Sequence, residues 1–177
     1  STTATLTSGD AAVRANFTLN TYQLTVTSTT PGGTITAPAT SPVAVDHGVA
    51  TTITAVATAG YTFTGWTVVT GSATIANASA LSTTATLTSG DAAVRANFTL
   101  NTYQLTVTST TGGSITAPAS SPVTVNHGVA TTITAAASDG FTFTGWTVVT
   151  GSATIATPSA LSTTATLTSG DAAVRAN

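Results

Sequence analysis

Apolar and polar residues alternate one by one along most of this chain. Near its start, Tyr22, Leu24 and Val26 are separated by single Gln or Thr residues, and similar runs follow at intervals. Successive side chains of a β-strand point to opposite faces, so such a run has one apolar face and one face of hydroxyl groups. This pattern predicts half-buried β-strands.

Glycine and proline divide the alternation into short segments. Turns are predicted at residues 31–33 and 46–48, and the first strand is expected to return through residues 34–36. The most aromatic strand is predicted at residues 61–69, where Gly65 indicates a bulge or a close backbone approach. About six to eight short strands separated by regular turns are typical of a small all-β module.

The segment at residues 91–98 has two interpretations. Asp91 is suited to the N-cap of a short helix. However, Val94, Ala96 and Phe98 alternate with Arg and Asn, which favours a strand. The strand interpretation predicts an all-β fold.

An internal repeat determines the predicted domain organisation. Residues 1–16 recur unchanged at 82–97 and 162–177, and 70 of 80 aligned positions match between the two full periods. We predict that residues 1–20 are the C-terminal strands of a preceding, truncated repeat. Module 1 is predicted at 21–101, and module 2 at 102–177 with its last strand truncated. A period of this length suits a small domain better than a solenoid unit.

The two predicted modules follow each other without a linker. The segment Phe98–Asn101 leads almost directly to Tyr103, with no Gly/Ser-rich or Pro-rich stretch between them. Closely coupled modules are expected to form a rod.

The composition excludes several classes of function. Charged residues make up 5% of the chain, the net charge is −2, and there is no Cys. Three cations do not provide a basic surface for nucleic acid, and thiol or zinc-thiolate chemistry is excluded. No run reaches the ~18 apolar residues of a membrane helix, so no membrane insertion of this segment is expected.

Several motifs in each period resemble one known family. They are PGGTIT at 31–36, GYTFTGW at 60–66 and AVRANF at 93–98, and the second period has GFTFTGW at 140–146. Together they resemble the divergent branch of the internalin-type B-repeat. The resemblance implies small, sandwich-like or β-grasp-related modules that act as stalks or spacers in bacterial surface or secreted proteins. The chain departs from the family in its low charge and in having no predicted helix.

Candidate catalytic and metal-binding residues are few. His47 follows Asp46, but the corresponding pair in the second period is Asn126-His127, and a working dyad would also need a nucleophile and an orienting partner in space. The Asp residues are isolated in turns, where they usually cap their own backbone. We therefore predict no catalytic residues, no metal and no cofactor.

Two further chemical possibilities concern Gln and Trp. Gln23 and Gln104 lie beside many Thr residues, so a Thr–Gln ester crosslink is chemically feasible. Trp66 and Trp146 could stack on a sugar ring if exposed, although core packing is favoured.

The alternating pattern predicts both the core and a candidate assembly strand. The predicted core of module 1, with three residues of module 2, comprises Tyr22, Leu24, Val26, Ile35, Ile53, Tyr61, Phe63, Trp66, Ile75, Leu87, Val94, Phe98, Tyr103, Phe143 and Trp146. An N-terminal strand that could add to another chain contains Thr5, Leu6, Val13 and Ala15.

Three functional hypotheses follow. The first is a stalk or spacer module of an extracellular or cell-surface protein, whose partners are the neighbouring repeats. The second is a subunit of a self-assembling fibre, in which identical chains exchange strands, because few charges protect the strand edges. The third is a glycan-binding adhesin.

Overall fold

The computed structural model describes residues 2–177 and contains two β-modules in tandem. The strands of module 1 are β1 (Thr21–Ser28), β2 (Gly33–Ala37), β3 (Val43–Asp46), β4 (Ala50–Ala57), β5 (Tyr61–Thr70), β6 (Thr74–Ile75), β7 (Ser82–Thr86) and β8 (Ala92–Leu100). Those of module 2 are β9 (Thr102–Ser109), β10 (Gly113–Ala117), β11 (Val123–Asn126), β12 (Thr131–Ala137), β13 (Trp146–Thr150), β14 (Thr154–Ile155), β15 (Ser162–Thr166) and β16 (Ala172–Ala176). These residues include no helix, which confirms the all-β prediction and the strand interpretation of residues 91–98. In this part of the chain, no helix has the length and apolar character needed to cross a membrane.

Each module consists of two four-stranded sheets. In module 1 the strand orders are β3-β1-β8-β5 and β2-β4-β7-β6, and module 2 repeats both orders. The first and last strands, β1 and β8, pair in parallel, with Leu24 opposite Ala92. A parallel pair cannot be joined by a tight turn. The other six strands of module 1 therefore lie between β1 and β8 in the sequence.

The core of each module lies between its two sheets. Leu24 and Val94 come from one sheet of module 1, Ile53 and Leu87 come from the other sheet or its adjoining loop, and all four are fully buried. The period-two alternation of the sequence therefore places its apolar positions on the inner faces, as in a sandwich.

The predicted bulge at Gly65 is confirmed. The register between β5 and β8 shifts between Phe63 and Gly65, and Gly65 has a φ of 132°. A side chain is strained at this φ, and glycine has no Cβ to clash.

The predicted return through residues 34–36 is wrong in one respect. These residues form β2, but β2 pairs with β4 in the second sheet and not with β1. Both edges of β1 are already occupied, by β3 and β8. The turn at residues 31–33 therefore carries the chain from one sheet to the other.

The prediction of terminal strands at the start of the chain is also wrong for the described residues. Residues 2–20 form no strand and are exposed; Ser1 lies outside the described residues. The same sequence at 82–97 forms β7 and most of β8, where β4, β1 and β5 supply pairing partners. Strands need such partners for their backbone hydrogen bonds, and among the described residues 2–177 no strand pairs with residues 2–20.

Candidate functional site

The junction between the modules is formed by a single residue, Asn101, between β8 and β9. Its N–H donates to the carbonyl oxygen of Gly60 over 2.8 Å, and its carbonyl oxygen accepts from the N–H of His127 over 2.9 Å. The hydroxyl of Thr62 donates to Asn101 Oδ1 over 2.6 Å. Asn101 therefore bonds to both modules.

His127 packs directly against module 1 at this junction. A Cβ added to Gly60 would overlap the imidazole ring of His127, whereas one added to the corresponding Gly140 would have no neighbour within 4 Å. His127 is half-buried, and its counterpart His47 is exposed. The backbone at residue 60 thus provides a surface on which the ring of the next module rests.

A cleft lies at the opposite end of module 2. It has a volume of about 210 Å³ and is lined by Thr110, Gly112, Gly113, Phe141 and Phe143, among others. In module 1 the corresponding space contains the ring of Phe98, which lies against Gly32 and Gly33.

The two tryptophans are buried. Trp66 and Trp146 are each 4% exposed, and each indole N–H donates over 3.0 Å to a backbone carbonyl oxygen, of Ala80 and Ala160 respectively. Their ring faces are not available to stack on a sugar, so the glycan-binding hypothesis has no aromatic platform at these positions.

Each histidine lies beside the hydroxyl of a tyrosine. His47 Nδ1 lies 3.5 Å from the hydroxyl of Tyr22, and His127 Nδ1 lies 3.4 Å from that of Tyr103. Neither histidine is hydrogen-bonded to a carboxylate in residues 2–177, and no group of three metal-ligating side chains occurs there.

The turn aspartates bond to a distant strand. Asp91 Oδ1 accepts the N–H of Gln23, and Asp171 Oδ1 accepts that of Gln104, both over 2.8 Å. From the sequence we expected these residues to cap their own turns. Neither this bond to the first strand nor the bonding of Asn101 was predicted. The available signal was the recurrence of Asp and Asn at fixed positions in each period.

The glutamines of the ester hypothesis have different environments. Gln104 Nε2 donates to the hydroxyl of Thr124 over 2.8 Å, because the two residues are cross-strand neighbours in β9 and β11. In module 1, Gln23 faces Ala44 instead. An ester at Gln104 would release one ammonia, so the intact mass of the chain tests this prediction.

The predicted core residues are placed as follows. Leu24, Val26, Ile53, Trp66, Leu87, Val94 and Trp146 are buried, and Tyr22, Ile35, Phe63, Ile75, Phe98, Tyr103 and Phe143 are partly buried against the cores. Tyr61 is half-buried at the start of β5. The candidate assembly residues Thr5, Leu6, Val13 and Ala15 are exposed and lie in no strand.

Comparison with protein-family models gives one family for both modules. The model of the divergent InlB B-repeat domain matches residues 22–102 and again residues 103–177. Searches of curated proteins and of solved structures returned no match. The two matched regions cover most of the chain and agree with the motif resemblance at 60–66 and 140–146. The chain therefore belongs to the divergent InlB B-repeat family.

Proposed function

We propose that this chain is a stalk or spacer segment of an extracellular bacterial surface protein. The family comprises repeat modules of such proteins, which are typically not enzymes. The observation that supports a spacer most directly is the junction at Asn101, where one residue separates β8 from β9 and is bonded on both sides. A short, bonded junction restricts motion between modules, whereas a flexible linker would not.

The packing of His127 on Gly60 supports the same role. Without a side chain at residue 60, the ring of the following module approaches the backbone of the preceding one. The contact adds to the three hydrogen bonds of Asn101, so the orientation of module 2 is determined by several independent interactions. A stalk needs this property to hold a distal domain at a constant distance from the surface.

The distance between the modules tests this proposal. The chain has no cysteine, so Val69→Cys and Val149→Cys introduce a unique pair of labelling sites at exposed positions of β5 and β13. Pulsed electron paramagnetic resonance between two spin labels should give one narrow distance distribution. Inserting a short Gly-Ser segment before Asn101 should broaden it.

A matched pair of glycine substitutions locates the source of the rigidity. Gly60 and Gly140 have φ values of 83° and 82°, so alanine brings the same backbone strain at both positions. Gly60→Ala should broaden or shift the distance distribution because its Cβ displaces His127, and Gly140→Ala should leave it unchanged. A broad distribution in the unsubstituted junction would contradict the spacer proposal.

A further inference from the structure

The first and last strands of each module lie side by side in the middle of one sheet. In module 1, β1 lies between β3 and β8, and β8 lies between β1 and β5, so both are interior strands. Five consecutive residue pairs join β1 to β8, from Leu24 with Ala92 to Ser28 with Ala96. Five pairs also join β9 to β16 in module 2. We call this contact between the first and last strands the seam of the module.

Further hydrogen bonds lie at both ends of the seam. At its start, the N–H of Gln23 donates to Asp91 Oδ1 over 2.8 Å. At its other end, Thr29 donates its N–H to the carbonyl oxygen of Ala96 over 3.0 Å, and its hydroxyl accepts the N–H of Phe98 over 3.1 Å. Module 2 also has a bond from its turn aspartate and a backbone bond beyond the last pair. The bonding therefore extends past the five pairs in both directions.

The parallel direction of the two strands determines how the seam responds to tension along the chain. Tension enters a module at the N-terminal end of β1 and leaves it at the C-terminal end of β8. These points lie at opposite ends of the seam, so the two strands are pulled in opposite directions along their length. The hydrogen bonds run between the strands, and sliding one strand past the other must break them together. A force that separates the strands from one end breaks the same bonds one after another.

We propose that the seam is a mechanical clamp, which keeps each module folded while the chain is under tension. Asn101 alone separates β8 from β9, so tension passes from one seam to the next through a single residue. The use of such a clamp in a surface protein rests on the proposed spacer role. The clamp itself depends on the seam within a module and not on the junction between modules, so either proposal can fail without the other.

Two directions of pulling on the full chain test the clamp. The chain has no cysteine, so handles for optical tweezers can be attached to two introduced ones. Thr99→Cys, near the end of β8, is combined with Thr21→Cys in one variant and with Thr30→Cys in the other; all three positions are exposed. Thr21 begins β1 and Thr30 follows its last residue. The first variant is therefore pulled along the seam, and the second is pulled apart from one end of it.

The force needed to unfold module 1 should depend strongly on this direction. At equal loading rates, the first variant should unfold at several times the force of the second, because its seam bonds break together. Forced unfolding is governed by the unfolding rate, and the two variants should have equal stability in urea. A difference in force would then come from the direction alone. Equal forces in the two directions, or a lower force along the seam, would overturn the proposal.

Asp91→Ala, added to both variants, tests the bonds of the seam directly. The bond from Gln23 to Asp91 lies where tension enters β1, and it is the last to be reached when the strands are separated from the Thr30 end. Asp91→Ala should therefore lower the force along the seam and leave the other force unchanged. Equal reductions in both directions would overturn the proposal, because the substitution would then act on the module as a whole.

The same measurements separate the clamp from the spacer. Unequal forces in the two directions, together with a broad distance distribution between the spin labels, would support the clamp and contradict the spacer. Equal forces with a narrow distribution would support the spacer and contradict the clamp.

Discussion

At the scale of single residues, corresponding glycines of the two modules have different neighbours. A Cβ added to Gly33 would overlap the ring of Phe98 and would lie 2.6 Å from the carbonyl oxygen of Val56. At Gly113 its nearest neighbour is the carbonyl oxygen of Ala136, at 3.3 Å. Glycine is therefore required at residue 33 of module 1 and only preferred at residue 113 of module 2.

This difference predicts unequal effects of one substitution. Gly33→Ala should destabilise module 1 by about 1–3 kcal/mol, because the core must shift to accept the methyl group. Gly113→Ala should cost module 2 less than about 1 kcal/mol. Urea unfolding of the two variants measures the loss of stability in each. Equal losses would show that the ring of Phe98 does not cause the greater sensitivity of module 1.

At the scale of elements, a turn carboxylate links the end of each module to its beginning. Asp91 and Asp171 precede the last strands and accept the first-strand N–H groups of Gln23 and Gln104. These bonds help to align β1 with β8, and β9 with β16, in parallel pairs that no local turn can align.

Three aspartates in one repeated sequence allow a controlled test of this link. Asp171→Ala should reduce the free energy of unfolding by about 1–2 kcal/mol, since it removes a hydrogen bond to a charged acceptor. Asp91→Ala should act similarly in module 1. Asp10→Ala, in the same sixteen-residue sequence, should have no effect, because residues 2–16 are exposed and form no strand. A loss of stability on Asp10→Ala would contradict this assignment.

At the scale of the whole molecule, the two modules differ in how completely their ends are packed. Phe98 and Leu100 cover the end of module 1, whereas none of the described residues 2–177 fills the corresponding cleft of module 2. Burial of a Phe side chain contributes about 1.5–3 kcal/mol. In a polypeptide of these 177 residues, module 1 should therefore be the more stable of the two.

Single-tryptophan variants can report each module separately. In Trp146→Phe the remaining Trp66 reports module 1, and in Trp66→Phe the remaining Trp146 reports module 2, so each reporter lies in an unaltered module. In this polypeptide the Trp66 signal should change at higher urea than the Trp146 signal, and the free energy of unfolding that Trp66 reports should be larger by about 2 kcal/mol. Adding Phe-Thr-Leu-Asn after Asn177 should remove most of this difference. Module 2 unfolding at equal or higher urea would contradict the prediction.

The sequence by itself determined the all-β fold, the repeat and the family. The alternation at Tyr22, Leu24 and Val26 is local information, and it indicates a strand with one buried face. The motifs at 60–66 and 140–146 were sufficient to identify the B-repeat. The bulge at Gly65 could also be predicted, because glycine in a strand carries positional meaning.

Only the tertiary structure decided which copies of a segment form strands and which cleft is filled. Residues 2–16 and 83–97 have the same sequence, yet strands form only at 83–97, beside β4, β1 and β5. Phe17 and Phe98 differ in the same way, one exposed and the other packed against Phe63. The physical reason is that β-pairing joins residues far apart in the chain, so the partner that satisfies a strand's backbone is not encoded within the strand itself.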